Sequence, residues 1–196
     1  MGVLFMSYRY ITGILGAFGI TVVALAGYFG MLTTASPSQL GVSITGLPAS
    51  ASLSYGGRPI QFTVALRNGS AHKYRNILPI VSMGHCTCSP QEAQQAPDGT
   101  MAELDTSTGK WKSIYYDSEG PSDAYLLLAP PQFPSLTLGP GATARYRLRI
   151  AFCPLSQQGN YAAGQTTIDV TVVTLPSRTV IGSSPAVSAP LGVTTS

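Results

Sequence analysis

The feature that most limits the fold is an uncharged run of 22 residues near the start of the chain, ITGILGAFGITVVALAGYFGML, residues 11–32. A helix rises about 1.5 Å per residue, so this run would be roughly 33 Å long and would cross a bilayer. A helix that is apolar all round and contains five glycines gains little stability in water. We therefore predict a transmembrane signal-anchor helix over residues 11–32, after a cytoplasmic n-region of residues 1–10.

The residues on either side of this run predict its orientation and fate. Residues 1–10 contain one cation, Arg9, and no acid, which favours a cytoplasmic N-terminus. Small residues before Ser36 also fit cleavage after Ala35, and cleavage would make the protein secreted. The run is longer than the roughly 7–15 residues of a secretory signal, which favours a single-pass membrane protein with an extracellular C-terminal domain. In both cases residues 33–41 form a linker.

The exported part of the chain is sparsely charged. Charged residues make up 10% of the sequence, against about 25% in average soluble proteins. Once Arg9 is set aside, ten basic residues remain against eight acidic ones, a net charge of +2. Nucleic-acid-binding domains usually carry a large basic excess. We therefore expect no nucleic-acid partner.

Beyond residue 40 the apolar residues follow the two-residue period of β-strands. The runs at residues 59–68, 143–152 and 165–175 alternate most clearly. Trp111 lies in a predicted hairpin, and we expect its ring to anchor the sheet on the core. About seven short strands and no helices predict a single antiparallel β-sandwich over residues 42–176. The remaining residues, 177–196, are rich in Ser, Thr and Pro and predict a disordered tail.

The three cysteines, Cys86, Cys88 and Cys153, raise the question of a disulfide or a metal site. Thiols oxidise outside the cytoplasm, which predicts one disulfide and one remaining thiol. In an extended segment Cys86 and Cys88 would lie about 6–7 Å apart, the limit for a bridge, and a turn would bring them closer. A bridge from either one to Cys153 is the alternative, which loop entropy favours. A zinc site with His85 is disfavoured, because H-C-x-C is too tight for zinc ligands. A catalytic Cys–His pair is disfavoured as well, because the adjacent residues His85 and Cys86 would point to opposite faces of a strand.

Several motifs in the predicted domain resemble those of a known family. They are a strand ending in Asn68, a GHC-x-C segment at residues 84–88, a G-x-W hairpin at 109–111 and an L-x-P-G turn at 138–141. In this order they resemble the immunoglobulin-like domains of secreted and cell-surface proteins of actinobacteria. The resemblance covers most of residues 43–152 and implies an immunoglobulin-like β-sandwich. It also favours the pairing of the two cysteines of GHC-x-C, because those domains carry that pair without a third cysteine.

The acidic loop YYDSEGPSDAY is a candidate calcium site. Calcium prefers oxygen ligands at alternate loop positions, and this loop offers Asp117, Glu119 and Asp123. The same carboxylates do not suggest a glycosidase pair, because nothing apolar brackets one of them to keep it protonated. We expect, however, that these carboxylates only make the loop soluble and bind no ion. We predict neither an enzyme nor a bound cofactor.

The strand at residues 143–152 offers a candidate ligand surface. Arg145, Arg147 and Arg149 would lie on one face at intervals of about 6.6 Å, and guanidinium groups bind carboxylates and phosphates. The strip is a candidate ligand face for an acidic envelope polysaccharide, a teichoic acid or a lipid headgroup surface, although an ordinary exposed sheet face, partly balanced by acids on a neighbouring strand, is the expected interpretation. The sequence as a whole predicts a non-enzymatic cell-envelope protein that displays its domain for binding or structural support. The alternative is an accessory subunit of a membrane complex, whose helix packs on another membrane protein through small residues such as Gly13 and Ala17.

Overall fold

The described part of the chain is all-β in this computed structural model. It comprises residues 40–84, 86–89, 96–114, 116–117, 122–125, 135–157, 160–181 and 187–195. Its strands are β1 (Leu40–Thr45), β2 (Ser52–Ser54), β3 (Ile60–Asn68), β4 (Tyr74–Gly84), β5 (Gly99–Asp105), β6 (Lys110–Ile114), β7 (Tyr116–Asp117), β8 (Ser122–Tyr125), β9 (Leu136–Leu138), β10 (Thr143–Phe152), β11 (Gly164–Thr174), β12 (Thr179–Ile181) and β13 (Val187–Thr194). The predicted all-β class is confirmed.

Helical structure within these ranges is limited to one 3-10 turn, Leu155–Gln157. The described ranges contain no helix with the length and apolar character of a membrane span. The predicted n-region and transmembrane helix, residues 1–32, lie outside the described residues. The signal-anchor hypothesis therefore stays a prediction.

The first sheet has five strands in the order β1-β3-β10-β5-β6, and every neighbouring pair is antiparallel. Side chains alternate between its two faces because successive residues of a strand point in opposite directions. Val64 of β3 pairs with Ile44 on one side and Tyr146 on the other, and this row faces the core. The arginines of β10 alternate with those core residues and face outward.

The second sheet has eight strands, with β2-β13-β11-β4-β8-β7 as its main path and β12 and β9 at the sides of β11 and β4. Its strand pairs are antiparallel except for β13 and β2, which are parallel. The sheet is therefore mixed, and the prediction of a wholly antiparallel sandwich is wrong at this pair. Strand β4 runs through the interior of the sheet and has a bulge between Tyr74 and Ile77, where Asn76 has a φ of 53°.

One hydrophobic core lies between the two sheets. Phe62 and Leu148 enter it from the first sheet, and Val170 and Leu191 from the second; all four are at most 2% exposed. Burial of such side chains stabilises a fold by roughly 1.5–3 kcal/mol each. The core therefore fixes which face of each sheet is left for solvent and for partners.

The prediction of a disordered tail over residues 177–196 is wrong, because part of this segment forms a strand of the second sheet. Val187–Thr194 forms β13, which lies between β2 and β11 and contributes Leu191 and Val193 to the core. Its apolar alternation is weak in the sequence because Pro, Ser, Ala and Gly occupy half of its positions. Pairing along both edges, and not hydrophobicity alone, holds this strand in place. The domain therefore extends well past residue 176.

Candidate functional site

The outer face of the five-stranded sheet collects four arginines. Arg145, Arg147 and Arg149 alternate along β10, and Arg67 lies on the neighbouring strand β3. Arg67, Arg145 and Arg147 are exposed, and Arg149 is half-buried. The pattern in β10 predicted the strip, whereas Arg67 joins it only through the pairing of β3 with β10. We call this surface the arginine face.

No carboxylate balances these charges on the outward positions of the five strands. The acids in these strands are Glu103 and Asp105, which are 6% and 5% exposed. Glu103 pairs with the core residue Leu148, so both acids lie on the inner side of the sheet. Asp105 also forms an ion pair with Lys112, with 2.6 Å between Nζ and Oδ2. The arginine face therefore presents net positive charge to a ligand.

The prediction that the Trp111 ring anchors the sheet on the core is wrong. Trp111 lies in β6 on the outer face, half-buried, and the guanidinium carbon of Arg149 is 4.9 Å from the centre of its ring. This is a cation–π contact, which is typical of arginine over tryptophan. Ala102 pairs directly with Arg149 and is buried on the same face. The stack therefore holds the Arg149 side chain over this part of the sheet.

Two shallow depressions lie on the arginine face. The larger, about 450 Å³, is lined by Gly41, Val42, Ser43, Ala65, Arg67, Gly141, Thr143 and Arg145. The smaller, about 240 Å³, is lined by Pro59, Thr100, Met101, Ala102, Ser113, Arg149 and Ala151. Each combines at least one arginine with hydroxyl groups and small side chains, a combination that suits an anion with neighbouring hydroxyls.

The Cys86–Cys88 pair forms a disulfide in the structure, with 5.1 Å between the Cα atoms. Both cysteines are 1% exposed. The segment is a turn, in which the backbone N–H of Thr87 donates to the carbonyl of Gln165 and that of Ser89 to the carbonyl of Cys86. The turn brings the two cysteines close enough for a bridge, which an extended strand would not do. Cys153 is half-buried and is not part of this bridge.

The candidate metal ligands are only partly included in the described residues. His85 and Glu119 lie outside the described residues, and the register of β7 with β8 places Asp117 opposite Asp123. The calcium hypothesis therefore stays a prediction. Across the described ranges, no group of three His, Cys, Asp or Glu residues is placed to hold a metal ion.

Aromatic residues pack near the disulfide turn. The rings of Tyr55 and Phe152 are stacked with 5.8 Å between their centres, and Tyr55 is tilted against Tyr161 at 6.4 Å. Burial, with a contribution from Tyr161, raises the pKa of Tyr55 to about 12, so its hydroxyl stays protonated and donates to the carbonyl of Ala162. The Tyr55 hydroxyl is therefore a structural donor to Ala162, whose own N–H donates to the carbonyl of Cys88 in the turn.

Comparisons with known proteins show similarity of fold only. No family model matches the chain, and no curated protein matches it. One similar solved structure is "AvmM Catalyzes Macrocyclization in Alchivemycin A Biosynthesis", with 12% identity, a TM-score of 0.53, and coverage of 81% of this chain and 90% of that chain. Another is the Pseudomonas fluorescens alkylpurine DNA glycosylase AlkC, with 14% identity, a TM-score of 0.40, and coverage of 81% and 31%. The first supports the two-sheet fold, and neither indicates an activity for this chain.

Proposed function

We propose that this chain is a non-enzymatic cell-envelope protein whose immunoglobulin-like domain binds a linear acidic polysaccharide on the arginine face. The observation that carries the proposal is the set of four outward arginines on two adjacent strands with no outward carboxylate on the sheet. Unbalanced guanidinium groups on an open face attract and bind polyanions, because each pairs with a carboxylate, sulfate or phosphate through charge-assisted hydrogen bonds.

A glycan fits this face better than a single-stranded nucleic acid. Proteins that bind single strands stack successive bases on exposed aromatic rings. The outward positions of the five strands offer one aromatic ring, Trp111, and Arg149 covers it. The face also presents the hydroxyls of Ser43, Thr143 and Ser113, which match the hydroxyls of a sugar chain. Recognition by charge and hydroxyl groups is therefore favoured over recognition by stacking.

Two features support an extracytoplasmic location for this domain. The Cys86–Cys88 disulfide is the form that cysteines take in an oxidising compartment. The uncharged run of residues 11–32 is long enough to act as a membrane anchor. In this proposal the N-terminal helix holds the domain at the outer membrane surface, where envelope polysaccharides are available. The arginine face binds its ligand without chemistry, because guanidiniums and hydroxyls supply no general base at neutral pH.

A charge-matched pair of variants tests the proposal. We expect Arg145→Gln with Arg147→Gln to weaken binding of the full-length chain in detergent to polygalacturonate by roughly 10-fold or more at low salt. Lys73→Gln with Arg75→Gln removes two exposed cations near the start of β4, in the other sheet, and we expect less than about a 3-fold change. Calorimetric titration measures both. Equal losses of affinity in the two variants would show that only the net charge of the protein matters, and the assignment of binding to the arginine face would be wrong.

A further inference from the structure

We infer that the arginine face contains two separate anion subsites, one in each depression, and that it therefore selects acidic glycans long enough to reach both. The inference rests on the proposed function and deepens it, because it names the length and form of the ligand. The two depressions share no residue and involve different arginines: Arg67 and Arg145 line the larger, and Arg149 lines the smaller.

The larger depression places two guanidiniums around one cavity. Thr143 pairs with Arg67, and Arg145 pairs with Ala65, so the two arginines are diagonal neighbours on adjacent strands. Diagonal neighbours in an antiparallel pair lie about 7–8 Å apart at Cα, and two long side chains at that separation reach a common anion. The space between them exists because Gly41 and Ala65 carry little or no side chain.

The edge of the larger depression is open because of a tight turn. Gly141 has a φ of 70°, which favours glycine, and its N–H donates to the carbonyl of Asn68. A Cβ placed on Gly141 would contact nothing within 4 Å, so the space beside it is clear. A sugar chain therefore enters the larger depression from this edge without displacing other described groups.

The smaller depression has one arginine that is already oriented. Arg149 lies 4.9 Å from the ring centre of Trp111, and the hydroxyl-bearing residues Thr100 and Ser113 line the same cavity. A side chain held by stacking loses less conformational freedom on binding than one that is free. This subsite therefore suits one anionic group together with a neighbouring sugar hydroxyl.

The separation of the subsites sets the length of the ligand. Arg145 and Arg149 are four residues apart in β10, which corresponds to about 13 Å along the strand. Arg147 lies between them and is exposed, so it continues the cationic path. A disaccharide does not span both subsites, whereas a longer linear oligosaccharide with regularly spaced carboxylates does. Joining two weak sites through one ligand raises affinity by roughly 10²-fold or more.

Oligogalacturonates of defined length test the inference with the full-length chain in detergent. We expect galacturonic acid and its disaccharide to bind weakly and the hexasaccharide to bind roughly 100-fold more tightly, measured by calorimetric titration. Ala65→Leu fills the larger depression without changing charge, and we expect it to remove this increase while weak binding of the disaccharide persists. Arg67→Gln should also remove the increase in affinity, because it removes one of the two guanidinium groups of the larger depression.

A matched control and three outcomes complete the test. Thr171→Leu adds similar bulk at a half-exposed position of β11 in the other sheet, and we expect it to keep the increase. The inference is overturned if the disaccharide and hexasaccharide bind equally, or if Ala65→Leu with an unchanged melting temperature keeps the increase; the proposed function then still stands. If no oligogalacturonate binds, or a single-stranded oligonucleotide of equal charge binds more tightly, the proposed function itself fails.

Discussion

At the scale of single residues, Asn68 is a buried polar group whose side chain makes four hydrogen bonds. Its side chain is fully buried, and its amide donates to the carbonyls of His72 at 2.7 Å and Leu138 at 3.0 Å. Its side-chain oxygen accepts from the N–H and the hydroxyl of Ser70. One residue thus joins the end of β3 to the turn that borders the larger depression.

We expect Asn68→Ala to lower the free energy of unfolding by about 2–3 kcal/mol, because it leaves the buried carbonyl of Leu138 without its side-chain donor. Urea unfolding measures the change. Ser70→Ala serves as the control, since it leaves both amide hydrogen bonds of Asn68 in place, and we expect a loss of less than about 1 kcal/mol. An equal loss in both variants would show that the backbone turn, and not the amide, holds the loop.

Asp105 gives the fold a pH dependence. The ion pair with Lys112, followed by hydrogen bonds from Ser107, holds the pKa of Asp105 well below its usual range. The unfolded chain therefore takes up the proton first as the pH falls. The stabilisation that ionised Asp105 gives the fold is complete above the pKa of an aspartate in the unfolded chain, about 3.9, and decreases as the pH drops below that value.

We expect the difference in urea midpoint between the native chain and Asp105→Asn to be largest above pH 5 and to shrink between about pH 4 and pH 2. Lys112→Met should lower the midpoint at neutral pH as well, since it removes the first of the two partners. A difference that stays constant from pH 7 to pH 2 would show that the charge of Asp105 contributes nothing to stability.

At the scale of elements, β13 shows what local pattern misses. Strands β3, β10 and β11 were predictable because their own residues alternate between apolar and polar. Strand β13 was not, because its two core residues, Leu191 and Val193, are set among small residues and a proline. Its register with β11 is set by contacts between segments distant in the sequence.

The site shows the same limit. The strip on β10 follows from alternation in one segment, and the sequence predicted it. Arg67 was missed because its place on the same face depends on pairing between β3 and β10. Trp111 was assigned to the wrong side because the inner face of its hairpin carries Lys112, which pairs with the buried Asp105. Hydrophobicity alone did not show that an ion pair would take the inward position.

The burial of β13 makes a direct prediction. We expect Leu191→Ala to lower the free energy of unfolding by about 2–5 kcal/mol, because it leaves a cavity beside core residues from both sheets. Pro190→Ala, at an exposed position of the same strand, should change it by less than about 0.5 kcal/mol. Urea unfolding of both variants measures the contrast. If Leu191→Ala is as harmless as Pro190→Ala, β13 does not contribute to the core.

The disulfide turn makes a second prediction at this scale. In denaturant without reductant, we expect alkylation to label Cys153 alone, because Cys86 and Cys88 are bonded to each other. After reduction all three cysteines should take the label. Peptide mapping by mass spectrometry identifies the labelled positions. A label on Cys86 or Cys88 before reduction would contradict the local bridge and reopen a pairing with Cys153.

At the scale of the whole molecule, the proposed function requires that the anchor and the binding domain stay on one chain. We expect the native protein to retain residues 1–35 and to stay in the membrane through alkaline and high-salt washes. The run of residues 11–32 has the length of a bilayer-spanning helix, and such a helix inserts almost irreversibly. Salt alone weakens only the charge-based contacts of the arginine face.

Charged residues inside the run provide the matched test of this tether. Val22→Arg with Val23→Arg adds two cations at its centre, each opposing insertion by roughly 2.5–3.5 kcal/mol, and we expect the variant to be lost from the membrane fraction. Intact-mass measurement of washed membranes follows both chains. A native mass lacking residues 1–35, with release of the domain into the medium, would contradict the tether. The arginine face would then act in a secreted protein, bound to the envelope by its polysaccharide alone.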